Sequence, residues 1–248
     1  MVEIVLPRPA GVRLHGRLSS NVRRHRHTTL QPLSFPKTLV TCLADVGLTK
    51  TGALTFELPA QQQARISWQL SFRTLGFAKN QIDAALRYRH ALSTDFAWQC
   101  LLSFAGRRWS DLAQRFANER FSGGFPVALI AGWRSDHTFD NRGMHPDESA
   151  RAVAKDIENW VLPFTRRLTS DDQLLDFLVR DEEPFPWFRS QGLTRLAEVA
   201  KLEAVLDVDR SSLEVLAATH QQMLEDQLDA VSLSSYTESV RSAARSDA

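Results

Sequence analysis

Between Arg134 and His145 the chain carries its densest run of groups able to move protons or hold a metal: Asp136, His137, Asp140 and His145, spaced by Ser135, Asn141 and Gly143. His137, Asp140 and His145 are imidazole and carboxylate donors, the ligand types of a divalent-metal site. With a metal bound there, the chain would be a metal-dependent hydrolase. Without one, His137 has the chemistry of a general base oriented by Asp136 or Asp140. The spacing, however, matches no ligand motif with a defined mechanism, and Asp, Asn, Gly and Ser also make turns. His145-Pro146 leads directly into a helix start. The expectation is a structural loop, with no cofactor and no catalytic residue.

Three other groupings could carry function. Residues 1–32 hold six arginines against Glu3, a local +5 that leaves −4 for the rest of a chain whose net charge is +1. Arg23, Arg24 and Arg26 could neutralise phosphates, and binding of that kind would weaken steeply with salt. The arm has no aromatic residue to stack on bases and the body is mildly acidic, so nucleic acid is not the expected partner. Pro184 to Phe188 is an apolar run, and Phe185, Trp187 and Phe188 are the candidate anchors of a protein-binding patch. Cys42 and Cys100 lie in apolar segments outside any C-x-x-C pair and read as two reduced thiols. No Gly-rich phosphate loop and no serine elbow is present.

The elements that must position these residues are legible as periodicity. Phe35, Leu39, Val40, Leu43 and Val46 share a helical face, and Gly47 stands where a C-terminal glycine would end that helix. Leu54, Phe56 and Leu58, then Ile66, Trp68, Leu70 and Phe72, alternate strictly on either side of Gln61–Gln63. Two such runs predict an antiparallel hairpin with one wet face. Asn80–Leu92 suits a helix, Phe96–Phe104 a buried strand, Ser110–Glu119 a short helix, and Ser122-Gly123-Gly124 a break before a central strand at Phe125–Trp133. Asp147–Phe164 is the longest helical stripe, through Ala150, Val153, Ala154, Ile157, Trp160, Val161 and Phe164, with Pro163 expected to kink or end it. Ser170-x-x-Gln173 and Ser211-x-x-Glu214 read as capping boxes. Leu193–Leu206 is helical in pattern, and the Ser-rich end looks frayed. Four of the tryptophans fall on apolar faces and are read as core.

Two parts of this order, the segment Val46 to Gly52 with the Ile66–Phe72 strand and the segment Trp160 to Phe164 with the Ser170–Leu178 helix, resemble the bacterial domain-of-unknown-function family numbered 4304. The resemblance covers about residues 34–182 and implies a small α+β domain; some similar domains are thought to bind partners or to act as immunity proteins beside toxins. It supplies no active-site residue.

The chain of 248 residues, 43% apolar and 24% charged, is then expected to be an α+β protein: an antiparallel sheet of about four strands with helices on one face. Residues 1–32 would be a disordered basic arm, 33–190 the domain, 191–232 a C-terminal helical extension and 233–248 a frayed tail. No run of residues is long and apolar enough for a membrane span, and Pro7 and Pro9 break Ile4-Val5-Leu6, so cytoplasmic residence is expected. The expected role is binding of another protein.

Overall fold

The chain is described from a computed structural model over residues 35–59, 65–75, 81–104, 121, 123–133, 138–140, 144–180, 188–208, 211–228 and 231–247. Helix α1 (Phe35–Asp45) buries Phe35, Leu39 and Leu43 and stops at Gly47, whose φ of +89° lies in the left-handed region that a side chain disfavours. The chain then enters the hairpin. Strands β1 (Thr49–Lys50), β2 (Thr55–Glu57) and β3 (Ile66–Leu75) are successive antiparallel neighbours, with Phe56 opposite Leu70.

Strand β4 (Gln81–His90) completes the centre of the sheet, and here the sequence reading needs correction. The predicted helix over Asn80–Leu92 is a strand in full register with β3, pairing Ile66 with His90, Trp68 with Tyr88, Leu70 with Leu86 and Phe72 with Ala84. Its even positions, Ile82, Ala84, Leu86, Tyr88 and His90, are all buried. Alanine at both 84 and 85 erases the polarity contrast that would otherwise advertise a strand. The opposite error follows: Phe96–Phe104 is not a strand but part of helix α2 (Ser93–Phe104), which buries Phe96, Ala97, Cys100 and Leu101 at helical spacing. Strand β5 spans only Gly123–Pro126, so the two glycines join the sheet instead of breaking the chain. The expected strand to Trp133 gives way at Pro126, which has no N–H to continue a ladder, to helix α3 (Val127–Ala131). β5 and the short β6 (Phe139–Asp140) both pair with β4, giving a six-stranded antiparallel sheet. The predicted helix at Ser110–Glu119 lies outside the described residues.

Beyond the sheet the chain is helical. Helix α4 (Pro146–Asp156) passes without interruption through a π-helical turn (Ile157–Val161) into α5 (Leu162–Thr165). The wide turn is closed by the Leu162 N–H donating to the Ile157 carbonyl, five residues back, directly before Pro163, which has no N–H to donate. One residue is thereby inserted into the helical repeat. Ala150, Val153, Ala154, Ile157 and Val161 stay on the core face, but Trp160, expected among them, is turned outward and 54% exposed.

Helix α6 (Asp171–Val179) opens on the predicted Ser170/Gln173 capping box. Helices α7 (Phe188–Leu206), α8 (Ser212–Thr219), α9 (Gln221–Glu225) and α10 (Leu233–Ser246) follow. Ser211 is no capping residue: it has φ of +51° and its side chain caps nothing, while the Ser212 N–H donates to Glu203 Oε1 at 3.1 Å. The end expected to fray is α10, with Leu233, Tyr236, Val240 and Ala244 buried. Nor is α7 an appendage. Leu193, Leu196, Ala197, Val199 and Leu202 are buried, and the boundary expected near 190 falls within one compact unit, Ser34–Ala248.

Contacts from the buried face of β3 and β4 reach the helices: Trp68 meets Phe164 of α5, and Tyr88 and His90 bond to residues of α7 and α6. The other face carries Ser67, Gln69, Ser71 and Arg73 against Arg89, Arg87, Ala85 and Asp83. That is an α+β fold with helices on one face, as expected.

Candidate functional site

The best-connected polar groups lie where β4 hands over to α2. His90 ends the strand and Ser93 begins the helix, whose first N–H groups have no partner within the helix. The Ser93 N–H donates to His90 Nδ1 at 3.1 Å, with Ser93 Oγ 2.9 Å from the same nitrogen. In return the His90 N–H donates to Thr94 Oγ1 at 2.8 Å. Because Nδ1 accepts, the ring proton is assigned to Nε2, which faces Asp171 Oδ1 at 3.2 Å. Asp171, at the first turn of α6, receives Arg65 Nη1 on its other oxygen at 2.8 Å.

A second branch runs through α7. Tyr88 and Thr94 both donate to the Glu198 carboxylate. One turn earlier on the same helix, Arg195 donates through Nε to the Leu178 carbonyl at 2.5 Å and through Nη2 to the Arg180 carbonyl at 3.2 Å. These are carbonyls at the end of α6, where helical partners run out and a cation is favoured. Strand β4 and helices α2, α6 and α7 are thus tied together by buried side chains.

Ser93, His90 and Asp171 are in the chemical order of nucleophile, base and acid. What decides against catalysis is access: Ser93 and His90 are both 0% exposed. Burial, the largest influence, lowers the His90 pKa against the pull of Asp171, so the ring is neutral near pH 7. The unfolded chain therefore takes up a proton first, near the ordinary histidine pKa of about 6.5, and stability must fall as pH drops through that value. The urea midpoint is expected to decline between pH 7.5 and pH 5.5, and His90→Asn to flatten that decline. An identical slope in the variant would overturn the assignment.

The residues singled out from the sequence are placed differently. His145 is the N-cap of α4: its Nδ1 accepts the Asp147 N–H at 3.4 Å, while its own N–H donates to Glu148 Oε2 at 3.1 Å. Asp140 is half-buried in β6, and His137 lies outside the described residues. Among the described residues no group of three or more His, Cys, Asp or Glu side chains is arranged to hold a metal. Phe185, Trp187, Arg23, Arg24 and Arg26 also lie outside them, and Phe188 is the first residue of α7. Cys42 and Cys100 are free thiols, and burial pushes the Cys100 thiol up to about 12, which makes it inert.

The His90 network gave no signal in the sequence. Its base and acid are 81 positions apart, and only the docking of α6 beside the end of β4 joins them. Trp160 escaped because a π-helical turn cannot be read from a clean 3.6-residue stripe. Trp133, by contrast, is half-buried and donates from its indole to Asp156 Oδ2 at 2.7 Å, tying the segment after α3 to the end of α4. No protein-family model, no curated protein and no solved structure matches the chain.

Proposed function

We propose that this chain is a non-catalytic protein-binding module of the bacterial cytoplasm, with Trp160 as an anchor of its interface. The observation that carries this reading is a tryptophan held 54% exposed on a π-helical turn of a helix that buries Ala150, Val153, Ala154, Ile157 and Val161. π-Helical turns are rare and gather at functional sites, and tryptophan is among the residues most enriched at binding hot spots. The reading also fits a chain whose Ser93 and His90 side chains are sealed in the core, and the partner-binding role implied by the likeness to the 4304 family. No helix among the described residues is long and apolar enough to cross a membrane.

The test is binding of the purified chain to the products of the genes that flank its own, measured by interferometry for wild type and Trp160→Ala. One product is expected to bind, and the variant to lose roughly 30-fold in affinity, the scale of a 2 kcal/mol hot spot. Equal affinities would remove Trp160 from the interface, and no binding by any neighbour would remove the basis for the role.

A further inference from the structure

A second feature lies at the far end of α7, apart from the partner-binding role proposed for Trp160. Helix α10 is tied to α7 at two points: Tyr236 Oη donates to the Leu193 carbonyl at 2.9 Å, and Lys201 Nζ donates to both the Asp247 carboxylate and its carbonyl at 2.7 Å. Lys201 is 3% exposed, so this second tie is an inward one. Between α7, α8 and α10 a cleft of about 400 Å³ stays open, within the size range of small-molecule sites.

Its walls are charged in opposite senses. Arg241 and Arg245, four residues apart and so on one face of α10, line it from one helix. Glu203 and Asp207, with the same spacing, line it from the end of α7, and Ala204 and Val208 contribute an apolar floor. Arg241 is paired with Glu214, and Glu203 is held by the Ser212 N–H. Among the described residues the side chains of Asp207 and Arg245 form neither a hydrogen bond nor an ion pair. The cleft thus presents one uncommitted carboxylate and one uncommitted guanidinium beside an apolar surface. With two acids and two arginines lining it, it does not suit a lone phosphate-like anion.

We propose that this cleft binds a small dipolar ligand with an apolar body, of the chemistry of a short apolar peptide with free ends. The ligand's carboxylate would meet the Arg245 guanidinium in the fork geometry that arginine favours. Its ammonium would meet Asp207, and its side chains would cover Ala204 and Val208.

Calorimetric titration of the full chain with leucyl-leucine tests this, with the C-terminal amide and the N-acetyl derivative as paired probes. The free dipeptide is expected to bind, and loss of either charged end to weaken it about tenfold, the scale of a charge-assisted hydrogen bond. Arg245→Gln should remove the penalty of the amide alone, and Asp207→Asn that of the acetyl group alone. Asparagine tolerates the left-handed backbone that Asp207 adopts at φ of +52°, so this variant keeps the turn. No binding of leucyl-leucine up to about 10 mM would overturn the proposal. So would capped peptides that bind as well as the free one, or inorganic phosphate binding more tightly than the dipeptide.

Discussion

Arg195→Met is expected to destabilise the protein by about 3–5 kcal/mol, since it takes the donor from two carbonyls at about 1–3 kcal/mol each and the nearby cation from Glu198. Arg195 is 3% exposed on α7, and its guanidinium is the hinge of the polar network. It covers the Leu178 and Arg180 carbonyls at the end of α6, and Glu198 stands one turn further along its own helix. Methionine fills much the same volume but donates nothing. The buried Leu178 carbonyl and the partly buried Arg180 carbonyl then lose their donor, and the Glu198 carboxylate loses the nearby positive charge while still burdened with burial. Urea unfolding monitored by tryptophan fluorescence measures the loss, and a fall in Tm of roughly 10 °C should accompany it. Adding Glu198→Leu should recover part of the cost, because the carboxylate would no longer be stranded, although the Tyr88 and Thr94 hydroxyls would lose their acceptor. A single-variant loss below about 1 kcal/mol would show that water reaches this network, and the reading of a sealed core would fall.

How far the residues disclosed this arrangement depended on whether each contact is local. The β2–β3 hairpin was legible because Phe56, Leu58, Ile66, Trp68 and Leu70 alternate with polar neighbours and need no distant partner to explain them. The ends of α1 and the start of α6 were legible for the same reason: Gly47 and the Ser170/Gln173 pair act on their own turn. β4 and α2 exchanged identities because alanines on both faces of the strand, and apolar residues on both parities of the helix, left two periods equally plausible. Tertiary pairing with β3 then settled the strand. The Ser211 box failed although its spacing was right, since Glu203, eight positions earlier, supplies the acceptor at the start of α8. The His90 network and the α10 cleft depend wholly on helices meeting across the fold, and no window of sequence contains them.

Trp68→Ala is expected to cost about 3–5 kcal/mol, as large-to-small changes of buried aromatics do. Trp68 is 5% exposed and sits at the junction between sheet and helices. Its ring lies 5.7 Å from that of Tyr88 beside it on β4, and 6.2 Å from both Phe125 of β5 and Phe164 of α5. Phe164 in turn packs edge-on against Phe125 and against Phe177 of α6, at 5.5 and 5.6 Å. The aromatic cluster is therefore what seats the helix following the π-helical turn on the sheet, and an alanine would leave a cavity bordered by three rings too rigid to close it. Trp68→Phe should lose noticeably less. Trp160→Ala, five positions before the end of the same α4-to-α5 run, is the informative contrast: an exposed side chain with no such neighbours should shift stability by no more than about 0.5 kcal/mol. Equilibrium unfolding of the two alanine variants side by side separates the roles of two tryptophans that the sequence placed in one core. A loss at Trp160 as large as that at Trp68 would mean its exposed ring is holding the fold, and its proposed place in a partner interface would have no support.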